Sequence, residues 1–379
     1  MRVHVLPWSG ELEGLGAARA LPVADERLGQ ALDNAMGRAA VERVDDIDGA
    51  YLIEAGTVVG PQLFAALAAL HLDRDSRLRL GGRTGELLEQ VALGGDPSAI
   101  AFLRGPAEGD VRARIADAEV VEVDPVEGAL SVPMPGGQDI PLSDRFAIRV
   151  RHPIQLLWAN LLSLPPRLWR RLAGDGIGAV FRIAGAVLRA RSTRHEDLAQ
   201  ALTCSADDAW IHPSAIVEAS VIGPGARVGA GAVVRGSILG PDSRVEALAI
   251  CEGSVLGQGA VVQRQALCRY SVLAEAAMLG GAAQLAVFGP RSALKRGSYA
   301  MDQGLGQDVR VRVGDAFVRA PLGLAGPVLG DGTQVGSGVW IAPGRTLPPG
   351  IVVLGPDPLR DPTAPEGAGP YRVRDGRLS

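Results

Sequence analysis

Four serines, Ser220, Ser237, Ser254 and Ser271, stand 17 residues apart, and each opens the same phrase: Ser-Val-Ile-Gly, Ser-Ile-Leu-Gly, Ser-Val-Leu-Gly and Ser-Val-Leu-Ala. A repeat this short cannot bury a core alone, so the units must stack on one another. Within each 17-residue unit, apolar residues recur at steps of six, six and five: Ile222, Val228, Val234; Leu239, Val245, Cys251; Leu256, Val262, Cys268; Leu273, Leu279, Leu285. Two residues ahead of each stands a small one: Ser220, Ala226, Ala232, Ser237, Ser243, Ala249, Ser254, Ala260, Ala266, Ser271, Ala277 and Ala283. All twelve positions obey both rules.

Neither the helical period of 3.6 nor the simple strand period of 2 produces this pattern. A triangular coil does, with one short strand per side and one bulky residue per side pointing into a narrow prism. Gly223, Gly229, Gly240 and Gly257 are expected to relax the backbone at the corners. The pattern begins at Ile211 and Val217, weakens after Leu285 and returns at Leu329, Val335 and Ile341. Between them Val309-Arg-Val-Arg-Val313 alternates like a two-faced strand. The spacing therefore predicts a left-handed parallel β-helix over 205–355, with an excursion at about 287–325 and a tail at 356–379. Cys251 and Cys268 fall one coil apart, both inward, and read as small core hydrophobes.

A narrow prism with many corners suits a chain with 4% aromatic residues and 50 glycines. The net charge of −4 gives no reason to expect nucleic acid as a partner. Three cysteines make no disulfide framework, and neither a secretory leader nor an 18-residue apolar run is apparent, so a cytoplasmic protein is expected. Residues 1–150 read as a small α/β domain. Strands are expected at Val3–Leu6, Tyr51–Glu54, Glu119–Val123 and Ile148–Val150, a helix at Pro61–Leu70 and a loop at Pro133–Asp139. Residues 151–204 read as a linker of amphipathic helices split at Pro165-Pro166, the second helix spanning about Ile177–Arg191. Ten arginines against one acid between Arg145 and Arg194 suit either a solvated rim or peripheral contact with the inner membrane face through 150–194.

The phrase Leu156-Leu-Trp-Ala-Asn160, the 17-residue coils and the closing run Leu329-Gly-Asp-Gly, Val335-Gly, Ile341-Ala-Pro-Gly344 carry a resemblance. Over about 150–355 the chain resembles the bifunctional sugar-1-phosphate nucleotidylyltransferase / N-acetyltransferase family, especially its archaeal and alternative bacterial branches. The resemblance implies a homotrimer that takes a sugar phosphate, a nucleotide sugar or an acyl-CoA, with sites at the seams between prisms. The departures lie at the chemistry. Nucleotidyl transfer needs a glycine loop and an arginine facing phosphates, and only Gly14-Leu-Gly-Ala-Ala-Arg19 comes near. It also needs a magnesium-holding aspartate after a central strand, where Tyr51-Leu-Ile-Glu-Ala-Gly-Thr57 offers Gly-Thr and an out-of-register Glu54. The acetyl-transfer phrase His-x-x-Tyr-x-x-Asp is matched by Arg296-Gly-Ser-Tyr299-Ala-Met-Asp302. Arginine stays protonated and cannot take the amine's proton. His212 reads as a corner residue.

Lys295, the only lysine, with Arg296, Tyr299, Asp302 and Arg345 form the candidate ligand-binding group; Trp340 lies in the same coils. Three functions stay open: a sugar-nucleotide-pathway transferase homologue with reduced or lost catalysis, a non-catalytic scaffold or regulator, and a membrane-surface organiser.

Overall fold

The repeat forms a three-sided prism in a computed structural model of the chain. The model describes residues 1–172 apart from 8–10, 13–14, 18–20, 24–25, 46–48, 106–109, 128–130, 134–138 and 142, residues 203–355 apart from 305, and 373–374 and 377–378. Short parallel strands stack into sheets of eight, eight and seven. The first face runs from Cys204–Ser205 to Thr346–Leu347, the second from Trp210–Ile211 to Val352–Val353, and the third from Ile216–Glu218 to Trp340–Ile341. This is the left-handed parallel β-helix. Inside it, Ile222, Leu239, Leu256, Leu273, Phe288 and Leu329 form one buried column, and Val228, Val245, Val262, Leu279, Leu294 and Val335 form the second. Each such side chain contributes about 1.5–3 kcal/mol of apolar burial.

The recurring serines have a polar reason. Ser237, Ser254 and Ser271 each donate a backbone N–H to the hydroxyl one coil earlier, at 3.1 Å, and the Ala286 N–H does the same to Ser271. Each hydroxyl in turn donates to the carbonyl two residues before it, on Glu218, Arg235, Glu252 and Arg269. These serines are fully buried, and a ladder that satisfies both donor and acceptor is what makes the position tolerable.

Two expectations need correction here. Gly223, Gly229, Gly240 and Gly257 do not have positive φ. They are required because a Cβ would strike the backbone of the next coil, at 2.7 Å from the Leu239 carbonyl for Gly223 and 2.5 Å from the Ala247 nitrogen for Gly229. The left-handed corner lies two residues later, at Gly225, Gly231, Asp242 and Gly259. Second, Leu285 does not point inward. Ala283 pairs with Cys268 and takes the inward place, so this coil is two residues shorter than the others. Leu285 is buried outside the prism, in the core shared with the N-terminal half. The stack then continues without a break through Val287–Phe288, Ala293–Leu294 and Tyr299–Ala300. The chain leaves it only after Ala300, later than the expected 287. It returns at Val328 after a hairpin of Arg310–Val313 with Ala316–Arg319.

Cys251 and Cys268 are stacked, fully buried and reduced, as expected, whereas Cys204 is exposed. The neighbouring Cys268 thiol and burial push the Cys251 thiol well above its ordinary pKa, which keeps it out of the reactive thiolate form. Titration of the native protein with a disulfide reagent is expected to count one fast thiol, and three after denaturation. Two fast thiols in the native protein would contradict the stacking.

Residues 1–150 form an α/β domain on a six-stranded sheet, in the order Glu119–Val123, Ser76–Leu80, Ile100–Leu103, Ala50–Glu54, Arg2–Leu6 and Glu42–Arg43. Every neighbouring pair is parallel except those made by Ile100–Leu103. Among the described residues, four helices accompany it: α1 (Leu28–Arg38), α2 (Leu63–Ala68), α3 (Gly82–Val91) and α4 (Val111–Asp117). The expected strands are present apart from Val150, α2 lies within the expected helix, and the ends of the expected loop, Pro133 and Asp139, pair as strand residues.

The linker begins with α5 (Pro153–Leu172), which is continuous through Pro165 and Pro166 instead of splitting there. Those prolines remove two intrahelical donors. Packing compensates, because Leu164 before them and Leu168 after them are both pinned on Ile238 and Val255 of the first prism face. Trp158 is fully buried, and the Asn160 amide donates 3.0 Å bonds to the carbonyls of Pro22 and Leu156. The Leu156–Asn160 phrase is therefore a joint between the two halves. His152 adds to it: its Nδ1 accepts the Ile154 N–H, so Nε2 carries the proton donated to the Arg312 carbonyl at 3.0 Å. Most of the apolar face of α5 is buried inside the protein, although Trp169 is exposed. The expected second helix at 177–191 and most of the tail lie outside the described residues. Among the described residues, no helix is long and apolar enough to cross a membrane.

Candidate functional site

The outward residues of the prism sort into columns as strictly as the inward ones. On the first face, Val221, Ile238, Val255, Val272, Val287 and Val328 are packed beneath α5 and the core around it. On the third face, Ile216, Val233, Ile250, Leu267, Ala282, Tyr299 and Trp340 stand in register. Beside them run Glu218, Arg235, Glu252 and Arg269, joined by ion pairs of 2.7, 3.3 and 2.9 Å. Ile216, Ile250, Tyr299 and Trp340 are exposed in the single chain.

The sequence-predicted residues flank the last two strands of this third face, Tyr299–Ala300 and Trp340–Ile341. Tyr299 and Trp340 meet edge to face, with ring centroids 5.7 Å apart, and are 51% and 71% exposed. Two large aromatic rings held this far into solvent offer a stacking surface. Lys295 and Arg296 occupy the exposed corner leading to Tyr299, with the Lys295 ammonium 3.9 Å from the Met278 sulfur. Asp302 lies just past Tyr299 and accepts a 2.9 Å bond from the Gln284 amide. Arg345 lies in the final coil, its guanidinium 5.7 Å from the centre of the Phe317 ring. No hydrogen bond or ion pair joins any two of Lys295, Arg296, Tyr299, Asp302 and Arg345. Lys295 and Arg296 lie in the corner before the Tyr299 strand, whereas Asp302 and Arg345 follow the third-face strands, so they form no charge relay. Sequence reasoning missed Gln284 and Phe317 as their partners, because the two-residue shortening hid the register of the first and the hairpin supplies the second.

Burial raises the Asp302 pKa above its ordinary value, against the opposing Gln284 hydrogen bond and the Arg269 charge. A carboxyl whose folded pKa is raised stabilises the fold fully below its unfolded pKa and loses that contribution as pH rises through the folded pKa. Asp302→Asn keeps an acceptor for Gln284 but removes the titration. Its melting temperature relative to the wild type is therefore expected to rise from acid to neutral pH. A difference independent of pH would contradict this.

His152 is a buried structural group, and the His212 Nδ1 accepts the Ser214 N–H in the corner that its sequence suggested. Among the described residues of the N-terminal domain, the carboxylate nearest the expected magnesium position is already paired. Glu54 is held by Arg149 and Arg151 at 3.5 and 2.6 Å, which neutralises the one carboxylate near the required place. Among the described residues, no group of three His, Cys, Asp or Glu side chains is placed to hold a metal ion. The residues present do not fit that ion. The Gly14–Arg19 run is only partly within the described residues.

No protein-family model and no curated protein matches the chain. Among solved structures it is similar to the acetyltransferase domain of PglB from Neisseria gonorrhoeae in complex with acetyl coenzyme A. That match has 15% identity, 74% of this chain and 96% of that one covered, and a TM-score of 0.20. A mutant of perosamine N-acetyltransferase from Caulobacter crescentus, in complex with CoA and GDP-perosamine, gives 15% identity, 76% and 96% coverage and a TM-score of 0.13. A hexapeptide transferase family protein from Anaplasma phagocytophilum gives 15%, 41% and 71%, and 0.18. At these scores the fold rests on the strand pairing of the chain itself.

Proposed function

We propose that the chain is a sugar-nucleotide-pathway transferase homologue of the acyltransferase type, which binds an acyl-CoA or a nucleotide sugar at the end of the third prism face. The observation that supports this reading most is the exposed Tyr299–Trp340 pair flanked by Lys295 and Arg296. A nucleotide presents a flat base and a charged phosphate chain, and this corner presents rings and cations in matching order. The uncovered third-face column supports a homotrimer, in which a neighbouring prism closes the site. Acyl transfer in this reading depends on holding amine and thioester together, with the amine's proton passing to solvent instead of a protein base.

One observation favours a second reading, binding without turnover. Arg296 holds a permanent positive charge where acyl transfer wants a proton acceptor. A thermal-shift screen with coenzyme A, UDP-N-acetylglucosamine and sugar phosphates addresses binding. At a ligand concentration about 100 times Kd the folded state gains about 2.7 kcal/mol, a shift of several degrees. The Tyr299→Ala, Trp340→Ala double variant is expected to lose that shift while keeping its own melting point. No shift with any of these ligands at millimolar concentration sinks the proposal. Acetyl transfer measured with the bound ligand then separates the two readings.

A further inference from the structure

The hairpin that interrupts the coil stack presents a second aromatic surface. Its strands pair so that Arg310 stands opposite Arg319 and Arg312 opposite Phe317. Directly opposite residues share one face of such a ribbon. Alternation puts Val311 on the other face, where it is buried in the shared core. The outward face therefore carries Arg310, Arg312, Phe317 and Arg319, all exposed. The hairpin crosses the corner at Gly344, where a Cβ would lie 2.7 Å from the Arg310 carbonyl oxygen, and this close approach brings Arg345 beside it. The Arg345 guanidinium sits 5.7 Å from the centre of the Phe317 ring, and that residue is still 55% exposed. Two carboxylates oppose these four guanidiniums. Asp308 is held by Arg319 at 2.6 Å and also feels the charge of Arg310. Asp315, whose side chain is fully exposed, reaches Arg312 at 3.5 Å. Positive charge is thus left over on this surface, in a chain whose net charge is −4. Neither Arg310 nor Arg345 makes a side-chain hydrogen bond or ion pair among the described residues. Like charges placed directly opposite on a ribbon are unfavourable, so Arg310 facing Arg319 is a cost that a bound anion reduces.

We infer that this hairpin face binds the nucleoside diphosphate part of a second substrate. The open side of the Phe317 ring stacks the base, and Arg310 and Arg345 hold the diphosphate. A ring beside exposed guanidiniums selects against bare phosphate, which has no base, and against a nucleoside, which has no charge. Acyl transfer joins a donor to an acceptor, and the Tyr299–Trp340 pair accounts for one of them. An acyl-CoA and a nucleotide sugar both carry a nucleoside diphosphate, so the same chemistry serves whichever of the two the prism corner leaves. The binding stands on the hairpin surface alone, whereas its part as a second-substrate site rests on the transferase reading above. Arg345 then works with the hairpin rather than with Lys295 and Arg296.

Calorimetric titration of the full-length Tyr299→Ala, Trp340→Ala double variant tests this, because the rings of the prism corner are then gone. The probes are ADP, UDP, adenosine, uridine and inorganic pyrophosphate at matched ionic strength. Saturable binding of ADP or UDP at one site per chain is expected, with pyrophosphate and the nucleosides each weaker by about tenfold or more. Preference for ADP supports an acyl-CoA at the hairpin, and preference for UDP supports a nucleotide sugar. Adding Phe317→Ala is expected to weaken binding by about tenfold or more. Adding Arg310→Gln with Arg345→Gln instead is expected to do the same. These side chains are exposed, so the melting point should stay that of the parent. Binding of neither nucleotide by the double variant overturns the inference. So does unaltered affinity after the Phe317 or arginine changes, or pyrophosphate binding as tight as that of the nucleotides. If nucleotide affinity is unaffected by Tyr299→Ala, Trp340→Ala but falls with Phe317→Ala, the inference holds and the prism-corner site fails, so the two are told apart.

Discussion

Gly281→Ala is expected to lower the stability of the prism by about 3 kcal/mol, a large loss for a change of one methyl group. The reason is the shortened coil. Gly280 and Gly281 let the chain cut across the corner between Leu279 and Ala283, and a Cβ on Gly281 would lie 2.0 Å from the Ser298 carbonyl oxygen of the next coil. That oxygen is not free to retreat, because it accepts the Ala282 N–H at 3.0 Å. Gly332→Ala provides the contrast. Its φ of +67° strains an alanine, but nothing lies within 4 Å of the new Cβ, so only a conformational cost of about 1 kcal/mol is expected. Denaturant unfolding of both variants decides the matter. Equal losses would mean that the shortened coil is not closed as described.

Trp158→Ala is expected to cost about 4 kcal/mol, within the range for emptying a large aromatic site. Trp158 belongs to a single core that includes Leu21 and Leu28 of the N-terminal domain, Val272 and Val287 of the first prism face, and Val309 and Val311 of the excursion. Its loss should loosen the attachment of the domain to the prism, seen as faster amide exchange in α5 and α1 while the interior strands of the prism stay protected. Trp158→Phe should cost far less, about 1 kcal/mol, because the indole N–H has no hydrogen-bond partner among the described residues. If phenylalanine costs as much as alanine, the indole nitrogen makes a bond that this packing does not include.

The legible parts of the chain were those whose neighbours are fixed by local spacing. Ile222, Val228 and Val234 occupy the same coil positions as Leu239, Val245 and Cys251, so a one-dimensional pattern reveals a three-dimensional column. Leu285 shows the limit. It continues the six-residue rhythm, yet its apolar character serves the shared core outside the prism, and the shortening at Gly280-Gly281 shifts the true inward position to Ala283. With that register lost, the coil from Val287 to Ala300 looked like part of the excursion. Similarly, Pro165 and Pro166 read as a helix break because the contacts that hold α5 together come from Ile238 and Val255, far along the chain. In the candidate site, the residue types at 295–302 were visible, and so was the absence of a histidine. Their arrangement was not, because Tyr299 meets Trp340 only through coil stacking across the excursion. The surface around Phe317 was hidden for the same reason: Arg345 reaches that ring only because the hairpin crosses the corner at Gly344.

The proposed site stands on the exposed Tyr299–Trp340 pair at the end of the third prism face. Isothermal titration of the full chain with coenzyme A and with UDP-N-acetylglucosamine, wild type against the Tyr299→Ala, Trp340→Ala double variant, tests this most directly. The account predicts saturable binding of one of the two at one site per protomer, weakened by about tenfold or more in the double variant, since stacking on each ring is worth about 1–3 kcal/mol. Absence of binding by the wild type, or equal binding by wild type and variant, would contradict it.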